Sequence, residues 1–204
     1  VLIGLRHFED AFNLYWDRLN KLMVYHLSAL QQVKELLELF FLDGLDQPPR
    51  LESPHAQSRV LNSLALSSRD QLEQAIDLKW RSAEIDQQNA SRLNVSVNLS
   101  HLSGDLWLSG RIYEAETSAR RALMIAKQQE NHNREAVALG WLGSVLTKRG
   151  RRSVSWRVLQ RSLCISHDGI ARGVYTSSDD TSIRVNEASE NDPEIELKRA
   201  SCYH

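Results

Sequence analysis

Two consecutive stretches decide the fold of this chain: LSHLSGDLWLSGRIYEAETSARRALMIA (Leu99–Ala126) and LGWLGSVLTKRGRRSVSWRVLQRSLCIS (Leu139–Ser166). The second stretch repeats the first at a distance of forty residues. Eight pairs of positions are identical across this shift: Leu99 and Leu139, Leu102 and Leu142, Leu106 and Leu146, Gly110 and Gly150, Arg111 and Arg151, Arg121 and Arg161, Leu123 and Leu163, and Ile125 and Ile165. A repeat of this length indicates an array of stacked units, because a single unit cannot bury its own apolar face.

The spacing of apolar residues within each stretch predicts two helices joined by a turn. Gly110 and Gly150 stand where the first helix of each copy ends, and we expect both to adopt the left-handed backbone of a Schellman cap. Ser103 and Gly143 in the first helices, with small residues such as Ala115 in the second, predict that the two helices approach closely. Each copy is therefore predicted to be a helical hairpin.

The pattern continues toward the N-terminus with less regularity. Ser53 is a candidate helix cap, with Pro54 in the first turn, for a further hairpin that lacks two residues in its turn at 67–70. Three of the four prolines fall in Leu45–Pro54, which predicts a connector because proline breaks helices. Upstream of it, helical spacing predicts helices over about 8–19 and 26–42.

We therefore predict an all-α chain in three parts. Residues 1–52 form a partial N-terminal helical repeat and its Pro-containing connector, and residues 53–167 form the array, with hairpins at about 53–88, 92–130 and 134–167. Residues 168–204 are rich in Ser, Asp, Glu and Asn, which predicts a poorly ordered tail. The start at Val1 without an initiator methionine indicates a piece of a longer polypeptide.

The composition favours a soluble protein over a membrane or polyanion-binding protein. Of the 204 residues, 42% are apolar, and the net charge of −1 gives no overall field toward nucleic acid or an anionic membrane. The longest apolar run, over 36–42, is interrupted by Glu38 and is far shorter than the roughly 20 residues of a spanning helix. Cys164 and Cys202 are too few for a disulfide framework and are typical of a compartment where thiols stay free. We expect a cytoplasmic protein.

The candidate chemistry-bearing residues do not form a catalytic or metal-binding pattern. None of the seven histidines forms a close pair of the kind that binds zinc on one helix, and the nine glycines form no Gly-x-x-x-x-Gly-Lys loop for a nucleotide. No Ser–His–Asp arrangement can be recognised either. We therefore expect no enzymatic activity, no cofactor and no metal.

By residue type and position, this hairpin resembles a tetratricopeptide repeat (TPR), and its forty-residue period is similar to that of the TPR regions of bacterial STAND-class signal-transduction ATPases. The resemblance implies an α-solenoid, a right-handed superhelix of about three and a half antiparallel hairpins. In that family the array senses and binds partners while the ATPase lies elsewhere in the polypeptide. It therefore implies a protein-interaction scaffold whose partner is a protein or peptide ligand, with an ATPase domain of the same polypeptide as a further partner.

In TPR arrays the first helices of successive hairpins line a concave groove, which the resemblance places along three segments of this chain. The implied partner-binding residues are Arg59, Asn62, Leu66, Val97, Ser100, Trp107, Val137, Trp141, Ser144 and Thr147. Trp107 and Trp141 are candidate aromatic anchors for a peptide helix or an adjoining domain, and the alternative for each is packing between hairpins. The basic stretch Lys148–Arg161 supports a different function, a nucleic-acid-binding helical repeat, and a simple stacking spacer is a third hypothesis.

Overall fold

The structure is a computed structural model that describes residues 7–27 and 29–171, with side chains described except at 25, 26 and 167–171. This part of the chain is helical and contains no β-strand. The α-helices are α1 (Phe8–Leu14), α2 (Leu30–Glu38), α3 (Pro54–Ser67), α4 (Leu72–Gln88), α5 (Arg92–Leu108), α6 (Ile112–Gln128), α7 (His132–Lys148) and α8 (Arg152–Ala171). Two π-helical segments, Tyr15–Asn20 and Leu22–His26, follow α1.

Each helix from α3 to α7 packs against the next helix in the chain, and α5 also packs directly against α7. Leucines at 99, 102 and 106 on α5, all at most 1% exposed, form the centre of this core together with small residues of α6. A second apolar cluster joins the N-terminal segment to α3 and α4. The predicted all-α class, with consecutive helices packed together, is confirmed for the described residues.

The helices from α4 onward follow a strict step. Helices α4, α5, α6 and α7 are each 17 residues long and begin twenty residues apart, so three residues form each connection. Each connection has one left-handed residue: Ala90 (φ 55°), Gly110 (φ 81°), Glu130 (φ 51°) and Gly150 (φ 75°).

The turn at Gly110 shows the hydrogen bonds of a Schellman cap. The Gly110 N–H donates to the Trp107 carbonyl at 3.3 Å, and the Arg111 N–H donates to the Leu106 carbonyl at 2.9 Å. The same pair of bonds is present at the other three turns, at Ala90, Glu130 and Gly150. The Schellman caps predicted at the two glycines are confirmed, and the structure adds two more at residues other than glycine.

The N-terminal part differs most from expectation. The helix predicted over 26–42 spans only Leu30–Glu38, and the first helix changes to π-helical geometry after Leu14. Because α2 begins late, Leu30 is 41% exposed, whereas Phe40 and Phe41 in the turn after α2 are buried. The buried apolar side chains of this segment are therefore supplied partly by the turn after α2 and not by one continuous helix.

Side chains fix the connector between α2 and α3. The Ser53 hydroxyl accepts the Ala56 N–H at 3.4 Å, which confirms the predicted cap with Pro54 in the first turn. Glu9 accepts the backbone N–H of Glu52 at 2.6 Å, so α1 also holds the end of the connector. Ion-pairing between Arg50 and Asp43 closes the turn at 2.5 Å.

The C-terminal end extends beyond its predicted limit. Helix α8 continues to Ala171, whereas the sequence pattern predicts an end near 167, and the remainder of the predicted tail lies outside the described residues. Cys164 is disulfide-bonded, so the expectation that this thiol stays free was wrong. In the described part of the chain, each helix is too short or too polar to cross a bilayer.

The left-handed residue at 130 generates a stability prediction. Replacing Glu130 by Gly removes the steric cost of a side chain at φ 51°, and we expect the free energy of unfolding to rise by about 0.5–1 kcal/mol. The measurement is urea denaturation followed by circular dichroism. The matched control Glu130→Ala keeps a Cβ at this position, so its effect should be close to zero; equal gains for Ala and Gly would contradict the explanation.

Candidate functional site

The ten predicted site residues are distributed over α3, α5 and α7. Arg59, Asn62 and Leu66 lie on α3, whereas Val97, Ser100 and Trp107 lie on α5, and Val137, Trp141, Ser144 and Thr147 lie on α7. Ser100 is buried and Thr147 is exposed, while the other eight are half-buried. We call the exposed and half-buried side chains of these three helices the first-helix surface.

Helices α5 and α7, which carry predicted site residues, contact each other where Trp141 packs against Gly104. A Cβ placed on Gly104 would lie 2.7 Å from Cη2 and 2.9 Å from Cζ2 of Trp141. The Trp141 ring of α7 therefore lies against the α5 backbone where a side chain would block it. Trp141 thus packs between helix pairs and is half-buried, and its role as an aromatic anchor stays a prediction.

Two cations lie over tryptophan rings at the first-helix surface. The Arg59 guanidinium is 4.5 Å from the Trp16 ring centroid, and Lys148 Nζ is 5.9 Å from that of Trp107. Trp107 is half-buried, and its indole nitrogen is buried without a hydrogen-bond acceptor among the described residues. Both pairs have the geometry of cation–π contacts and hold their cations over the face of an aromatic ring.

The hydroxyls predicted to contact a partner are engaged within the fold. Ser144 donates to the Gly140 carbonyl at 3.1 Å, and Thr147 donates to the Gly143 carbonyl at 3.0 Å. The Thr147 hydroxyl also lies 2.6 Å from that of Ser155 on α8. Because both hydroxyls already donate within the fold, a ligand could donate to their oxygens but could not accept a hydrogen bond from them.

Beneath the surface, α4 and α5 enclose an ion pair that the sequence analysis missed. Lys79 Nζ lies 2.8 Å from Asp105 Oδ2, and both side chains are 0% exposed. Burial lowers the pKa of Lys79 to about 8, although Asp105 opposes this shift. Lys79 stands among the inward-facing positions of the α4 apolar pattern, and a charged residue at such a position is the signal that could have revealed it.

His101 adds a second titratable group to this buried region. Its imidazole is 4% exposed, and its Nδ1 has no hydrogen-bond partner among the described residues. Burial lowers the pKa of His101 well below its usual value, and the positive charges of Lys79, Arg134 and Arg69 add to this effect. The imidazole is therefore neutral near pH 7.

A buried hydrogen-bond network joins α3, α4 and α5 near their other ends. The Asp86 carboxylate accepts from the Ser58 hydroxyl at 2.6 Å and from the Asn98 amide at 2.8 Å. Burial raises the pKa of Asp86, and these hydrogen bonds oppose the shift. Ser82 completes the network through Ser58 and Asn98. A buried network whose members are satisfied fixes the relative positions of helices, so its role here is structural.

The basic stretch Lys148–Arg161 is partly neutralised by carboxylates. Arg149 donates to Glu116 and lies 4.5 Å from the Tyr113 ring centroid, and Arg161 donates to Glu135 at 3.4 Å. Burial raises the pKa of Glu116, but hydrogen bonds from Arg149 and Arg120 outweigh it and lower the pKa overall. Fewer cations of this stretch are therefore available for phosphates than the sequence indicates.

Two clefts in the described part of the chain lie away from the predicted site residues. One of about 750 Å³ lies beside the connector, where Phe8, Pro48 and Arg50 line it. Another, of about 390 Å³, runs between α4 and α6 over Val95 and Leu99 of α5, with Trp80 and Arg121 at its walls. No group of three or more His, Cys, Asp or Glu side chains in the described part could hold a metal ion.

The contact between Gly104 and Trp141 generates a prediction with a built-in control. Gly104→Ala places a methyl group against the indole, and we expect the free energy of unfolding to fall by about 1–3 kcal/mol. Gly140→Ala adds the same methyl group within α7, where the nearest described contact is Ser162 Oγ at 3.7 Å. There, helix propensity alone should raise the stability by about 0.5–1 kcal/mol. Thermal or urea denaturation separates the two signs, and changes of the same sign would contradict the close approach.

The neutral buried His101 predicts that the protein loses stability in mild acid. Below about pH 6.5 the unfolded chain binds a proton at this imidazole while the folded chain does not, so unfolding becomes more favourable as the pH falls. We expect a loss of up to about 1.4 kcal/mol per pH unit from this residue, absent in His101→Gln. Urea denaturation between pH 7.5 and 5 measures the slope. Ser103→Ala is a control, since this buried residue does not titrate and its effect should not depend on pH.

Comparison with protein-family models and with curated proteins gave no match to this chain. The candidate function is therefore built on the first-helix surface and the contacts beneath it.

Proposed function

We propose that this chain is a TPR-like α-solenoid that works as a protein-interaction scaffold, binding a peptide or a partner domain along the first-helix surface. The observation that carries the proposal is the direct packing of α5 against α7, which are forty residues apart. When the first helices of successive helix pairs lie side by side, their outer side chains form one continuous surface on which an extended ligand can lie.

The aromatic residues on this surface supply a second argument. Trp107 on α5 and Trp141 on α7 are both half-buried, so each combines a fixed ring position with an accessible edge. Tryptophans in such positions are the residues that most often dominate the energy of a protein interface. The proposal places the contact energy on these two rings and gives the cations beside them a role in selecting the partner.

The scaffold is proposed to be the sensor arm of a larger regulatory protein, with an ATPase domain in the same polypeptide as one partner. This part of the proposal rests on the resemblance to the TPR regions of STAND-class ATPases. It assigns no catalytic step, cofactor or metal to the described residues. In this role, ligand binding along α5 and α7 would be transmitted through the buried contacts between helix pairs.

A peptide-display selection tests the proposed function. A library of random 12-residue peptides is selected on the full chain, and the recovered peptides are measured by fluorescence polarisation on wild type and variants. We expect Trp107→Ala to weaken their binding by about tenfold or more, because it removes a ring at the proposed contact.

Trp156→Ala is the matched control for this experiment. Trp156 on α8 is 64% exposed and lies outside the first-helix surface, so the recovered peptides should bind this variant as they bind wild type. Circular dichroism shows whether each variant retains its helices. Recovery of no specific peptide, or equal losses in the two variants, would overturn the proposed function.

A further inference from the structure

We infer that the first-helix surface selects an acidic peptide, in which two or more carboxylate side chains flank apolar ones. This inference rests on the proposed function and names the class of partner. It follows from the distribution of charge between the helices, from the ion pairs beneath the surface and from the positions of the remaining cations.

The first helices expose no carboxylate. Helix α3 contains no acidic residue, and α5 and α7 contain one each, Asp105 and Glu135. Asp105 is 0% exposed and pairs with Lys79 of α4, while Glu135 is 6% exposed and lies 3.4 Å from Arg161 and 3.9 Å from Lys127. Both carboxylates are therefore neutralised within the fold by cations of the neighbouring helices α4, α6 and α8.

Cations remain on the same three helices. They are Arg59 on α3, Arg92 on α5 and Lys148 on α7. In the part of the chain that the structure describes, Arg59, Arg92 and Lys148 form no ion pair, although the buried Asp86 and the exposed Asp17 act on Arg59 at longer range. The first-helix surface thus carries positive charge although the whole chain has a net charge of −1.

The aromatic contacts keep two of these cations in place. A cation over a ring keeps its full charge and its outward N–H donors, in contrast to one that is paired with a carboxylate. Arg59 over Trp16 and Lys148 over Trp107 are therefore positioned donors, on the first and the last of the three helices. A ligand carboxylate would gain a charge-assisted hydrogen bond at either one.

The second helices show why a short peptide fits better than a nucleic acid. Four exposed carboxylates lie on α4 and α6, at Glu73, Asp77, Glu84 and Glu114, and three of them pair with arginines: Glu73 and Glu114 with Arg111, and Asp77 with Arg81. These arginines are therefore not available to the phosphates of a long polyanion, which needs many such contacts to bind. A peptide with two or three carboxylates matches the available cations and leaves its apolar side chains for the two tryptophans.

The display selection provides the first test. Peptides recovered on wild type are compared with unselected members of the random 12-residue library, and we expect enrichment of Asp and Glu together with aromatic or aliphatic residues. In the recovered peptides, replacing Glu by Gln should weaken binding about tenfold, and raising NaCl from 50 to 300 mM should weaken it further. Recovery of specific peptides that are neutral or basic would overturn this inference while leaving the proposed function intact.

Charge reversal on the protein provides the second test. Lys148→Glu should weaken the acidic peptides about tenfold, whereas the matched control Arg157→Glu should leave their affinity unchanged. Arg157 lies on α8 and is exposed, so both variants change the net charge by the same amount. Equal losses in the two variants would mean that only overall charge acts, which would overturn the inference.

A single-stranded 12-mer of deoxythymidine is the polyanion probe in the same assay. We expect it to bind at least tenfold more weakly than the acidic peptides at 150 mM NaCl. Equal or tighter binding of the DNA, lost in Lys148→Glu, would overturn the acidic-peptide assignment in favour of nucleic acid.

Discussion

The regular part of this structure depends on a backbone constraint, which is that the chain must reverse within three residues at every step from α4 to α8. Each of these connections satisfies carbonyls in the last turn of one helix by placing a residue of left-handed backbone at the same position. That place recurs every twenty residues from α4 to α8, so α5 and α7 begin at corresponding positions of the repeat, and they pack directly against each other.

Within that frame, polar contacts set the register of the helices. An ion pair that is fully withdrawn from water gives little net stability, but removal of one partner costs about 3–5 kcal/mol, so Lys79 and Asp105 strongly disfavour any other alignment of α4 and α5. The network around Asp86 acts at the other end of the same helices. Apolar side chains still pack when one helix slides slightly along another, whereas these two polar contacts lose their hydrogen-bond geometry.

The helix boundaries could be predicted from the sequence where helix-capping signals and apolar spacing agreed with the forty-residue repeat. The helices from α3 to α8 could be predicted because apolar spacing, the glycines at 110 and 150 and the cap at Ser53 all point to the same boundaries. The N-terminal segment could not, since a π-helical segment changes the spacing of side chains and leaves no mark in an apolar pattern. At the candidate site, the helices that carry the residues were predictable. The burial of Ser100 and the pairing of Lys79 with Asp105 were not, because both depend on which helix lies opposite.

The four connections are not equivalent, and their difference bears on how the molecule opens. Glycine occupies the left-handed position between α5 and α6 and between α7 and α8, whereas Ala90 and Glu130 occupy it between α4 and α5 and between α6 and α7. Opening at a connection of the second kind releases conformational strain, and opening at one of the first kind does not. Because Lys79–Asp105 and the Asp86 network hold α4 against α5, the connection at Glu130 is the one of the four where we expect local unfolding to cost least, and each glycine-joined helix pair is expected to exchange its amide hydrogens as one cooperative unit.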